Sequence, residues 1–191
     1  MESYKSCVSK SYDEKYDQEF QIYFGDIDND EFLKFDALNI IIIGNIKTKW
    51  LNAVNNYTLG YDEGGSIFIT GNVDCSYFSN HYGKLIVIGD SLKVNKILDN
   101  AFEDSALIIK NNLTTEYFNG LDIWAEAGGF IKIEYGDGYC LPLGYTNAKE
   151  QAVKPKNSES ESHQFLGIED KITEYGDRES LVREIIEQNN N

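Results

Sequence analysis

The middle of the chain repeats one pattern of apolar and polar positions. A short β-rich run is followed by Gly or Asn, then Asp or Asn, then an aliphatic residue. It recurs as IYFGDI ending at Ile27, IIIGNI at Ile46, FITGNV at Val73, IVIGDSL at Leu92 and IIKNNL at Leu113. The first polar turn residues are Gly25, Gly44, Gly71, Gly89 and Asn111, at intervals of 19, 27, 18 and 22 residues. A repeat near that length, built on β-branched runs, is too short for paired helices and suits one turn of a β-solenoid.

Side chains alternate along a strand, so aligning the copies on the turn assigns faces. Two residues after the turn stand Ile27, Ile46, Val73, Leu92 (after an insertion at Ser91) and Leu113, an aliphatic column expected to point inward. Phe32, Leu51, Phe78, Ile97 and Phe118 form a second column, and Tyr23, Ile42, Ile69, Val87 and Ile109 a third. The pattern predicts an all-β fold, a right-handed parallel β-helix of about five coils and roughly triangular section. The alternate positions before the turn, Ile22, Ile41, Phe68, Ile86 and Ile108, are apolar as well, as in a strand buried on both faces. The chain's own tail is expected to cover that outer face, with a partner or a second copy as the other candidates.

The β-helix is expected over residues 21–145, after a capping segment at 1–20. Residues 146–176 (beginning TNAKEQAVKPKNSESESHQ) read as a polar linker, and 177–191 as a C-terminal helix and tail. Asp177 suits a helix cap, and Leu181, Ile185 and either Val182 or Ile186 share a stripe at helical spacing. A solenoid end exposes unpaired backbone and core side chains, so the terminal segments are expected to act as caps.

Charge narrows the classes of partner. The chain of 191 residues has 32 acidic residues against 17 Lys and Arg, a net charge of -15. That balance opposes direct nucleic-acid binding, which rests on Lys and Arg displacing counterions. No uncharged apolar run approaches the ~18 residues of a membrane span, and the N-terminal segment lacks a secretory apolar core. Cys7, Cys75 and Cys140 are too sparse for a zinc cluster or a disulfide scaffold, so the expected setting is cytoplasmic.

The sequence offers no pattern of a catalytic residue, metal site or cofactor. Asp26, Asp28, Asp30 and Glu31 alternate like a calcium loop, but Glu31 stands where the loop needs glycine and Ala37 where it needs a bidentate acid. His81 and His163 have no partner at metal-ligand spacing. Gly64-Gly65 and Gly136-Asp137-Gly138 read as turns, not phosphate loops. Cys75 reads as a packing residue.

What remains is surface. Positions just before the Phe32-type column carry Glu31, Trp50, Tyr77, Lys96 and Tyr117, which alternation places outside. Trp50, Tyr77 and Tyr117, with Glu31, Asp62, Glu63, Asp74 and Glu116, form the candidate partner-binding set. Aromatic rings supply contact area and acids steer a basic partner. The competing expectation is that these rings lie against the chain's own loops.

The glycine-acid-aliphatic repeat over Gln21 to Tyr145 resembles two groups. One is the bactofilins, polymer-forming cytoskeletal β-helices. The other is a set of small bacterial β-helical proteins with a terminal helix, some of them immunity proteins of polymorphic or contact-dependent toxin systems; Asp177 to Gln188 matches that helix. The second resemblance implies a non-enzymatic inhibitor that binds a cognate protein toxin, such as a basic nuclease domain, stoichiometrically. The first implies a self-assembling scaffold, from which this chain departs in its uneven coils, many aromatics and long tail. A carbohydrate-active β-helix rests only on aromatics beside carboxylates. A homodimer through an apolar β-helix face is a further expectation.

Overall fold

The computed structural model describes residues 2–5, 19–35, 37, 39–53, 65–80, 84–137, 143–144, 159–171 and 175–191. In chain order the strands are β1 (Glu2–Lys5), β2 (Glu19–Phe24), β3 (Ile27–Asp28), β4 (Phe32–Lys34), β5 (Asn39–Ile43), β6 (Ile46–Asn52) and β7 (Ser66–Ile69). They continue with β8 (Val73–Asn80), β9 (Leu85–Ile88), β10 (Leu92–Ile109), β11 (Leu113–Ala127), β12 (Ile131–Asp137) and β13 (Leu143–Gly144). Two helices follow, α1 (Glu159–Leu166) and α2 (Tyr175–Gln188). Among these elements the pairing is parallel except between β1 and β2, and the chain winds into a β-solenoid of about five turns.

Two stacks make up each turn. β2, β5, β7, β9 and the later halves of β10 and β11 form the first; β3 with β4, then β6, β8, the earlier halves of β10 and β11, and β12 form the second. Ile46, Val73, Leu92, Leu113 and Ile131 stack in one buried column. Leu51, Phe78, Leu98 and Phe118 form another, with Leu33 packed at its end. In the first stack Ile40, Ile67, Ile86 and Leu107 lie beside Ile42, Ile69, Ile88 and Ile109. Burying each such aliphatic side chain contributes about 1.5–3 kcal/mol.

The turns between the stacks explain the repeated Gly-Asx. Asp26 Oδ1 accepts the Asn45 N–H at 2.7 Å, Asn45 Oδ1 the Asn72 N–H at 2.9 Å, and Asn72 Oδ1 the Ser91 N–H at 3.3 Å. Ser91 Oγ then accepts from Asn112 N–H at 3.3 Å and Asn112 Oδ1 from Phe130 N–H at 3.1 Å. Each turn thus satisfies a backbone donor of the next, which strand pairing alone leaves open at a corner. Glycine beside this ladder answers to space: a Cβ at Gly71 would collide with the Asn45 side chain and the Gly44 carbonyl. Gly25 instead adopts a φ of 102°, which favours glycine.

Register corrects three assignments made from the repeat. Ile69 pairs with Ile88, not Val87, because in IGDSL the glycine sits one place earlier and Ser91 takes the ladder position. Ile86 consequently points inward, and Val87 belongs to the outer set with Ile22, Ile41, Phe68 and Ile108. Extra residues ahead of Phe32 and between Val94 and Ile97 shift the second column to Leu33 and Leu98. The tail also differs from expectation: α1 lies within the stretch read as linker, and α2 starts at Tyr175, so Asp177 is inside the helix.

Candidate functional site

True register turns the predicted ridge into a continuous apolar column: Phe32, Trp50, Tyr77, Ile97, Tyr117 and Tyr135. Glu31 and Lys96 are the extra residues of the two irregularities, both exposed, and so stand outside the column. The column faces outward from the solenoid but is not a free surface. Val182 and Ile186 of α2 and Phe165 and Leu166 of α1 pack on it, leaving Tyr77 at 8% and Tyr117 at 0% exposure. Phe165 stacks on Tyr135 with ring centres 4.5 Å apart and lies 6.4 Å from Tyr117. Trp50 is half-buried, donates from Nε1 to Ser79 Oγ at 3.0 Å and meets the Phe32 ring at 4.7 Å. The expectation of an exposed aromatic ridge is therefore corrected: the C-terminal helices cover it, since a row of rings is the largest apolar area this side offers an amphipathic helix.

The acidic members are distributed differently. Asp74 is held by Lys93 Nζ at 3.1 Å and by Asn95 Nδ2 at 2.9 Å. Glu116 pairs with Lys96 Nζ at 3.2 Å. Asp62 and Glu63 lie outside the described residues, as does His81. Glu31 is exposed beside Asp30, Asp28 and Asp26, all exposed on the first turn. Asp28 meets Lys47 Nζ at 3.3 Å. The Asn45 backbone N–H, and then its side-chain amide, hold the Asp26 carboxyl below the usual carboxylate range. Asp26 therefore presents an ionised carboxylate to solvent at neutral pH.

A second polar group lies inside, at the corner joining β8 to β9. Lys84 is 2% exposed, and Asn80 and Asn100, paired across adjacent turns, are fully buried. Asn80 Nδ2 donates to the Lys84 and Ala106 carbonyls at 3.4 Å. Lys84 Nζ, Asn80 Oδ1 and both amide atoms of Asn100 find no hydrogen-bond partner among the described residues. Burial pulls the Lys84 ammonium down to about 8. Composition gave no sign of this group, because one lysine among seventeen basic residues has no pattern; only the following alternation, with Ile86 and Ile88 inward, places Lys84 on the inner face.

Cys75 is buried in the core, and desolvation pushes its thiol far up, so it is a packing residue without nucleophilic character. Among the described residues no group of three or more His, Cys, Asp or Glu is placed to hold a metal ion. No described helix is long and apolar enough to cross a membrane. Compared with protein-family models, curated proteins and solved structures, the chain matches none.

Proposed function

We propose that this chain is a toxin-neutralising immunity protein that binds a cognate, basic bacterial toxin in fixed stoichiometry and acts without catalysis. The observation that carries the reading is the exposed carboxylate edge Asp26, Asp28, Asp30 and Glu31 on a hydrogen-bonded first turn of a chain with net charge -15. Acidic groups on such an edge accelerate encounter with a cationic surface and can occlude a basic nuclease's substrate path. The covered aromatic column shifts the expected contacts away from Tyr77 and Tyr117 and toward these acids.

A bactofilin-like filament is the second reading, and the chain's first edge speaks against it. Head-to-tail growth adds parallel strands, whereas β1 runs antiparallel along β2 and already occupies the free edge of that strand. The test is affinity capture of the tagged full chain from its host, with the partner identified by mass spectrometry and the complex mass measured. One basic partner, released by salt and bound more slowly by Asp30→Asn with Glu31→Gln, supports the reading. A partner without positive charge, or association indifferent to salt and to those substitutions, overturns it.

A further inference from the structure

We infer that the outer face of the β2–β5–β7–β9 stack is the docking surface for a second copy of this chain, giving a two-fold dimer. This surface is separate from the carboxylate edge of the toxin reading. Ile22, Ile41, Phe68, Val87 and Ile108 form an outward ladder across five strands in unbroken register. The helices that seal the aromatic column pack on the other stack, so the described tail is not available to this face. The apolar flank is open: Phe24 is 68% exposed, Ile43 43% and Trp124 52%.

Charge identifies the occupant. Among the outward positions of this stack from β2 to β11 whose side chains are described, only Lys110 and Glu126 carry charge, although 26% of the chain is charged. Such depletion at the centre of a surface marks an interface core. A basic partner would find one carboxylate among those positions. A second copy meets a face as neutral as its own, and Asp26, Asp28 and Asp30 follow β2 and are not among the ladder's positions. An apolar ladder can meet its own copy, as a two-fold interface requires, and stacked sheets pack about 10 Å apart.

Area sets the strength. Six strands about 4.8 Å apart and five residues at about 3.3 Å give roughly 400 Å² in projection. That is the scale of the largest functional patch on a monomer. Two such faces bury about 800 Å² or somewhat more, below the roughly 1,200 Å² of stable interfaces, so the dimer is a weak, dissociable one.

The test is sedimentation of the full chain over a concentration series. The expected result is a reversible shift from the 21.7 kDa chain to twice that mass. Phe68→Asp, with an unchanged circular dichroism spectrum, should raise the dissociation constant about 100-fold or more, and Lys132→Glu on the other stack should leave it unchanged. Should Phe68→Asp fail to fold, Phe68→Cys decides: at the ladder's centre it lies near the two-fold axis and should link to itself as a dimer on oxidation. A chain monomeric at every concentration, a dimer indifferent to Phe68→Asp, or open-ended polymers would overturn the proposal. Phe68→Asp should still capture the basic partner, which keeps this surface separate from the carboxylate edge.

Discussion

Two outward ladders run the length of the solenoid, and the chain treats them differently. The column Trp50, Tyr77, Ile97, Tyr117 and Tyr135 is roofed by α1 and α2, while Ile22, Ile41, Phe68, Val87 and Ile108 lie beside rings left open to solvent. The first is mostly aromatic, and Phe165, Val182 and Ile186 pack on it, Phe165 stacked on Tyr135. The second is aliphatic apart from Phe68, and a β-sheet face of this kind can pack on another sheet. An apolar stripe in a sequence thus signals that something covers it.

The same contrast recurs inside. At the Gly-Asx corner each turn satisfies the next through Asp26, Asn45, Asn72, Ser91 and Asn112. At the opposite corner Lys84 and Asn100 are buried with polar atoms unpaired among the described residues. One corner stabilises the stack, and the other costs stability.

The largest effect should come from breaking the covered ladder. Val182→Asp places a carboxylate in a fully buried position and should cost about 3–4 kcal/mol, or release the helices, read by chemical denaturation and by dye binding to the bared rings. Next, Lys84→Met should stabilise by about 3 kcal/mol at neutral pH, the counterpart of an ammonium brought from about 10.5 down to about 8. The folded chain releases this proton near pH 8 while the unfolded chain holds it to pH 10.5. Stability relative to the Met variant should therefore rise between those values and stay flat below them. A denaturation series against pH on both proteins reads the difference.

Smaller changes sharpen the contrast. Asn72→Ala removes the acceptor for Ser91 N–H and should cost about 1 kcal/mol by the same denaturation measurement. Phe68→Asp on the open ladder should change monomer stability less than Val182→Asp does, by about 1 kcal/mol, while weakening self-association about 100-fold or more. Equal destabilisation by the two aspartates would erase the distinction between the faces.

The solenoid was legible because its inner columns demand aliphatic residues at fixed stations. The spacing from Ile42 to Ile46, Ile69 to Val73, Ile88 to Leu92 and Ile109 to Leu113 is constant at four. Alignment on glycine slipped in the fourth coil because Gly89 answers to the Thr70 carbonyl above it, while Ser91 keeps the ladder. The Asx side chain and its aliphatic neighbours hold register; the glycine only fits around them. The bulge at Asn95 and Lys96 then moved Ile97 from the core to the aromatic column, since one extra residue reverses every later side chain. That the aromatic column would be covered by the tail was less legible, because Val182 and Ile186 state only that a helix face is apolar. The helix α1 hid in a Ser- and Glu-rich stretch whose apolar content is little beyond Phe165 and Leu166, and those two suffice once Tyr135 meets them.

Acrylamide quenching of tryptophan fluorescence tests the central claim most directly, because the chain's two tryptophans report one ladder each. Trp124→Phe leaves Trp50 beside the roofed column, and Trp50→Phe leaves Trp124 on the open face. The account predicts weak quenching of Trp50 at every concentration, lost when α1 and α2 are removed, and strong quenching of Trp124 in dilute solution that falls as copies associate. Equal quenching of the two rings, or a Trp50 signal indifferent to removal of the helices, would contradict it.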